Sequence, residues 1–478
     1  MKKGQLLQKY NSLSVQARAA FWFTMCSFLQ KGISFITVPI FTRLMSTEQY
    51  GTYSVYLSWL QVFTVLSSLY LYHGVTDNAM SKFEDDRDRF IASMQGLTVT
   101  ITTLVAVILF LSWNGVKKLI GLAPVMIFLM FAEIYVTPAL AFWSAKQRFE
   151  YKYRKIAAVT LVKSFLNPCL GLLAVSLSEE KDLARVISTV TVEVLICGTI
   201  LVLQFMRGKV FFHYQYWRYG LMLAVPMLPH YLSGIILNQG DRIVISQLVG
   251  KSAVALYGVA YSIGMLVQLF VSAINNALTP WIYSKLRTED IEAIQKRSRG
   301  VILFVFLVAV GLMLISPEVV RIFGSEKYAQ SVYVVPPVAG SVFFVFLYGF
   351  LSFPEFYYEK TSFLMIASII AAALNILLNF IFIPKYGFVA AAYTTLACYV
   401  IYSFGHYLVG KTILKKKTGK GPMVDQLYTL ILALAIIPIS LLAQCLFDLP
   451  FIRYILIVSG MAVAVLKRGA ILRLFTDK

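Results

Sequence analysis

Four ionisable residues stand where a bilayer disfavours them. Lys31, Glu133, Lys163 and Glu193 each lie within a few residues of the midpoint of a long apolar run. A lysine at bilayer centre costs roughly 2.5–3.5 kcal/mol on insertion scales, so its ammonium must face protein, a counter-charge or a water-filled cavity. Two chemistries satisfy this. The two lysines and two glutamates cancel, which favours ion pairs within one helix bundle. Alternatively the lysines form the cationic wall of a transport cavity. Glu133 and Glu193 are then the ion-coupling candidates, since protonating a glutamate would release its lysine. At helical spacing Thr24, Ser27, Lys31 and Ser34 form one polar stripe, and Thr160, Lys163 and Asn167 form another. Pro168 frees a backbone carbonyl beside the second stripe. The second half of the chain is expected to hold no charge at comparable depth.

The elements that must position these groups are membrane-spanning helices. The chain of 478 residues is 59% hydrophobic and only 14% charged, outside the range of soluble globular proteins. Apolar stretches of about 20 residues, the length that crosses a hydrocarbon core as a helix, recur from end to end. Fourteen can be drawn, at 17–41, 51–73, 91–112, 122–143, 156–177, 184–206, 220–238, 257–279, 300–316, 333–353, 362–383, 387–409, 427–447 and 451–466. The expected fold is therefore all-α and polytopic, with about 14 transmembrane helices. The first run, at about 25 residues, is too long for a signal peptide and carries no small-residue cleavage pattern, so it should stay attached.

The net charge of +20 points either to nucleic acid or to membrane orientation. With both termini placed in the cytoplasm, 30 of the 43 lysines and arginines fall in inner segments, a strong positive-inside bias. Basic clusters at 146–155 and at Lys415, Lys416, Lys417 and Lys420 would meet anionic headgroups of membrane lipids. The basic residues form no separate domain, which excludes a nucleic-acid partner. The five cysteines lie within spans and have no metal-site spacing, so neither a metal site nor a cofactor is expected.

Further polar stripes accompany the charged ones. Ser54, Ser58, Gln61 and Ser68 share a face of the second span, and Gln268, Ser272, Asn275 and Thr279 share a face of the eighth. Asn375 and Asn379 lie one turn apart on the eleventh. Pro226 and Pro229 predict a kink or unwound turn in the seventh. Asp241 and Arg242 are expected just beyond it, in an outer segment. Arg43 precedes Tyr50-Gly51-Thr52-Tyr53-Ser54, and Arg242 precedes Tyr257-Gly258-Val259-Ala260-Tyr261-Ser262, at corresponding places in two runs of six spans. Such repeats commonly place a substrate site between them, near the midplane. The division expected is an N-terminal lobe at 1–206, a C-terminal lobe at 207–410, and a basic loop with spans 13 and 14 at 411–478.

Three motifs carry a resemblance. Val38-Pro39-Ile40-Phe41-Thr42-Arg43-Leu44-Met45-Ser46, continuing through Glu48-Gln49-Tyr50-Gly51-Thr52-Tyr53, resembles the first loop of the Wzx-type polysaccharide flippases. Asp241-Arg242 leading to Tyr257-Gly258 resembles the start of their second lobe. The run from Asn375 through Asn379, Pro384-Lys385-Tyr386-Gly387 and Ala390-Ala391-Ala392 resembles their junction of spans eleven and twelve. The resemblance covers about residues 15–465. It implies the multidrug/oligosaccharidyl-lipid/polysaccharide exporter superfamily, with two six-helix lobes in a V shape plus a C-terminal pair. It further implies a non-enzymatic transporter in the bacterial inner membrane. Its substrate would be an undecaprenyl-diphosphate-type lipid-linked glycan, moved to the outer leaflet by alternating access for O-antigen, capsule or exopolysaccharide synthesis. H+ or Na+ is the candidate coupling ion.

Lys31, Lys163, Arg43 and Arg242 would then meet pyrophosphate, while Gln61 and Asn275 would meet sugar hydroxyls. Arg242 has a second possible role, holding the rim through Asp241. A cation-coupled multidrug antiporter of the same superfamily is the alternative, kept open by Glu133 and Glu193. A glycan-polymerising membrane enzyme ranks last. Every outer loop is shorter than about 20 residues, and no nucleotide loop or nucleophile–base pair is present.

Overall fold

The computed structural model describes residues 14–360 and 362–466. Fourteen helices coincide with the fourteen expected spans: α1 (Val15–Leu44), α2 (Thr47–Ser68), α3 (Arg87–Leu111), α4 (Pro124–Phe149), α5 (Tyr153–Leu177), α6 (Lys181–Gly208) and α7 (Tyr214–Leu248), then α8 (Lys251–Arg287), α9 (Ile291–Leu314), α10 (Val335–Tyr357), α11 (Ser362–Tyr386), α12 (Val389–Thr418), α13 (Gln426–Cys445) and α14 (Pro450–Leu466). Ten of these are long and apolar enough to cross a membrane by length and composition alone. The other four, α1, α2, α12 and α14, are more polar or shorter. Large apolar side chains such as Leu104, Phe110, Phe128, Leu177 and Phe451 stand exposed on helix surfaces, as lipid-facing residues do. The protein is a multi-pass membrane protein.

Hydrocarbon gives backbone and hydroxyl groups no water to bond, so the helices satisfy them internally. Ser54 and Ser58 donate to carbonyls one turn back, at 2.9 and 3.0 Å. Both are buried, as is Ser68, while Gln61 on the same stripe is exposed. Most of that stripe is helix packing rather than cavity lining. The turn from α1 to α2 closes on a capping box, in which Ser46 accepts from the Gln49 amide and Gln49 accepts from that of Ser46.

The chain forms two compact units, divided at Leu232/Ser233 within α7. In the first unit, Leu71, Met80, Phe90, Ile91, Met94, Phe142 and Tyr216 make a buried core. Gln95 Nε2 donates to Gln204 Oε1 at 2.7 Å, and Gln204 Nε2 to the Ala139 carbonyl at 3.1 Å, tying α3, α6 and α4. Small residues allow helices to touch backbone to backbone: a Cβ on Gly208 would lie 2.4 Å from the Asp88 carbonyl oxygen.

In the second unit α10 is central, with 83% of its apolar window buried. Phe343, Phe346 and Phe350 fill that core. Arg453 of α14 forms a fork on Glu318 at 2.6 and 2.8 Å, and also donates to the Leu314 carbonyl at 2.9 Å. Arg453 is only 3% exposed, so it anchors α14 within the unit.

α7 is helical throughout Tyr214–Leu248, with Pro226 and Pro229 inside it. The outer segment expected after residue 238 is thus more helix, and Asp241 and Arg242 are helix residues. Asp241, Glu355 and His406 of the second unit are all fully buried.

Candidate functional site

In the first unit, Lys163 and Glu193 pair across α5 and α6, Nζ to Oε1 at 2.8 Å. Glu193 is 6% exposed, and its other oxygen accepts from Cys197 Sγ at 3.2 Å. Immediately after Glu193 the backbone of α6 widens into a π-turn over Val194–Gly198. Such turns re-aim side chains and cluster at functional sites. Glu133 takes a different partner: it accepts from the Tyr56 hydroxyl at 2.7 Å. Of the four deep charges, the structure contains one ion pair, Lys163 with Glu193, among the described residues.

Lys31 lies apart. Its side chain is exposed on α1 and forms no ion pair among the described residues. Lys2, Lys3 and Lys9, and the side chains of Thr24, Ser27 and Ser34, lie outside the described residues. Gln30, Ile33 and Thr37 of α1 instead line a cavity of about 160 Å³ against α5 and α6, whose other walls are Lys163, Ser164, Asn167, Pro168 and Arg185.

Arg185 is the residue that sequence reasoning missed. It is 7% exposed. Its guanidinium donates to Asn167 Oδ1 at 2.8 Å and to the Asn167 carbonyl at 3.2 Å. It stacks over Phe41, 4.4 Å from the ring centre, with Tyr53 at 5.2 Å. Among the described residues no carboxylate pairs with it, and its Nε has no partner. Gly171 makes room for the guanidinium, since a Cβ there would lie 2.1 Å from Nη1. Arg185 is the second residue of the sixth apolar run, 184–206, so composition places it at the membrane edge rather than at depth. Helical register carries the missed signal: Arg185, Thr189 and Glu193 repeat every four residues along one face.

The cavity therefore carries one lysine neutralised by Glu193 and one arginine with no acid partner, a net positive lining in a buried setting. A planar guanidinium and an ammonium converging on one space suit a phosphate-type anion.

In the second unit Asp241 is wholly buried and accepts from three donors: Tyr257 OH, Asn379 Nδ2 at 2.7 Å and Thr395 Oγ1 at 2.8 Å. Asn375 donates to Thr395 at 3.0 Å, closing a polar knot of α7, α8, α11 and α12. Arg242 donates to the Asn238 carbonyl at 2.9 Å and Gln239 Oε1 at 3.0 Å, and lies 4.5 Å from the Tyr261 ring centre. Asn275 is half-buried on α8, with its Oδ1 unpartnered. Arg43 is exposed at the end of α1 and donates to the Pro39 carbonyl at 2.8 Å. Lys163 is thus the one sequence-predicted cation that lines the first unit's cavity. Groups of three or more His, Cys, Asp or Glu able to hold a metal are absent among the described residues.

Comparison with known proteins adds the family. Residues 226–381 match the MatE family. The Lsg locus protein 1 of Haemophilus influenzae is 23% identical over 358 residues, covering 72% of this chain and 86% of the relative. The fold resembles the lipid II flippase MurJ in its inward closed conformation, with TM-score 0.71, 16% identity, and 94% of this chain and 99% of that one covered. It also resembles an inward-facing multidrug resistance MATE family transporter of the MOP superfamily, with TM-score 0.57, 13% identity, and 83% and 96% coverage. The chain shares the fold of these two solved proteins. Residues 17–286, more than half of the chain, match the polysaccharide biosynthesis protein family, and the chain belongs to that family.

Proposed function

We propose that the protein is a flippase that carries a polyprenyl-diphosphate-linked oligosaccharide from the cytoplasmic to the outer leaflet by alternating access, for surface polysaccharide synthesis. The observation that carries this reading is Arg185: buried, stacked on Phe41, and without an acid partner among the described residues. A buried cation with no carboxylate in direct contact is costly, and an anion that arrives with the substrate lowers the cost. A diphosphate supplies that anion, with Lys163 as its second contact once Glu193 yields. A cationic drug, the substrate of the antiporter alternative, would be repelled by the same lining. Family membership supports a glycan cargo, and the positive-inside bias supports an inner-membrane protein with both termini cytoplasmic.

The test is complementation of a strain lacking the gene by Arg185→Ala and Lys163→Gln. Arg185→Ala should reach the membrane at normal levels, and both variants, compared at equal amounts of protein in the membrane, should accumulate lipid-linked glycan inside and display little surface polysaccharide. Surface polysaccharide at the native level from Arg185→Ala would overturn the phosphate reading.

A further inference from the structure

The second unit contains a different kind of cavity. It measures about 190 Å³ and lies among α7, α8, α10 and α12, where Asn238, Tyr261, Gln268, Ser341, Tyr348 and Tyr399 present their polar groups. No lysine, arginine, aspartate or glutamate lines it. The two charges beside it are already engaged: Asp241 by its three donors, and Arg242 by the Asn238 carbonyl, Gln239 and the Tyr261 ring.

The neutral groups are not all engaged. Tyr261 donates to Asn238 Oδ1 at 3.0 Å, and Ser341 to the Pro337 carbonyl at 2.9 Å. By contrast, the hydroxyls of Tyr348 and Tyr399 and the amide of Gln268 have no protein partner among the described residues. Within a bundle that lipid surrounds, polar groups in this state call for a ligand or water. Each can both donate and accept, which matches a hydroxyl-rich neutral molecule better than an ion. The rings of Tyr348 and Tyr399 lie within 2° of parallel at 6.2 Å, too close to hold a pyranose between them, so they stand as one paired aromatic element of the cavity lining. The volume is below the 300–1,000 Å³ typical of drug sites, so one sugar ring is the fitting size.

We infer that this cavity is a saccharide subsite that holds one neutral pyranose ring of the transported glycan. The inference rests on the glycan reading of the function, but concerns a separate site from the Lys163–Arg185 cavity.

Photo-crosslinking of the full chain in lipid nanodiscs tests it. The probes are diazirine-bearing methyl glycosides of glucose, galactose, N-acetylglucosamine and rhamnose, each with and without the unlabelled glycoside as competitor. At least one should label peptides of α8, α10 or α12 in a competable way. Tyr348→Phe and Tyr399→Phe remove hydroxyls that bond to no protein group, so both variants should fold normally. Each should weaken labelling about threefold to tenfold, the range for one neutral hydrogen bond. Labelling absent from those helices with all four probes, or unchanged in both variants, overturns the subsite. Inorganic pyrophosphate provides a separate arm, by protecting Lys163 from amine-reactive reagents. Failure of that arm alone counts against the diphosphate reading and leaves the subsite standing. Failure of the sugar arm alone does the reverse.

Discussion

Lys163 and Glu193 meet at 2.8 Å across α5 and α6, and the widened turn of α6 begins at the residue after Glu193. This pair is the internal counter-charge that a diphosphate would have to displace. Removing one member of a buried pair strands the other, at roughly 3–5 kcal/mol. The Lys163 side chain is 21% exposed, which puts the cost at the low end of that range. Lys163→Met alone should lower thermal stability in detergent. Adding Glu193→Met should recover much of that loss while export stays absent. Glu193→Gln, which leaves the lysine free, should tighten pyrophosphate protection of Lys163, and protection unchanged by that substitution would refute the competition.

Asp241 organises the second unit through three donors on three other helices. Asp241→Ala would leave the Tyr257 hydroxyl unpaired, at roughly 1–3 kcal/mol before relaxation, and would take one acceptor each from Asn379, which keeps Asn375 Oδ1 at 3.2 Å, and from Thr395, which still accepts from Asn375. The expected outcome is a large fall in melting temperature and poor recovery from membranes. Tyr257→Phe removes a single charge-assisted bond and should cost roughly 1.5–3 kcal/mol. Thermal unfolding of the two purified variants checks the order.

Apolar run length made the helix inventory legible, because hydrocarbon thickness sets that length directly. The depth of Lys163 and Glu193 was legible for the same reason. Their pairing was not, because helical register within α5 and α6 does not say which faces meet. Arg185 was hidden by its position as the second residue of an apolar run, where composition places a charge at the membrane edge. Asp241 was hidden by α7 itself, which runs ten residues past the end of its apolar stretch and through two prolines. The serine stripe on α2 misled in the opposite direction. A hydroxyl can bond to its own helix, so polar periodicity alone does not identify a cavity wall.

Glu355 and His406 test a further consequence of burial. Both are fully buried, and His406 Nδ1 lies 2.6 Å from Glu355 Oε1 among the rings of Tyr348, Tyr402 and Phe363. His406→Ala would leave the carboxyl without a partner and open a cavity, so a loss of roughly 3–5 kcal/mol is expected. His406→Ala with Glu355→Gln should be more stable than His406→Ala alone, because an unpaired amide costs less to bury than an unpaired carboxyl group. A double variant less stable than the single one would show that the pair does not act as a unit.

Gly171 offers the sharpest test of the arginine, because it alters the guanidinium's place without touching its charge. A Cβ at this position would sit 2.1 Å from Arg185 Nη1 and 3.1 Å from the Phe41 ring. Gly171→Ala favours helix formation locally by up to about 1 kcal/mol, so α5 should persist. The guanidinium must move instead, giving up its bonds to Asn167 or its stacking on Phe41. If export depends on where that positive charge is held, Gly171→Ala should reduce surface polysaccharide about as severely as Arg185→Ala, with normal protein in the membrane. Arg185→Lys should fall between native and Arg185→Ala, since an ammonium keeps the charge but cannot form the planar fork. Native export from Gly171→Ala would mean that the position of the guanidinium does not matter, and the anion contact would have to be sought elsewhere.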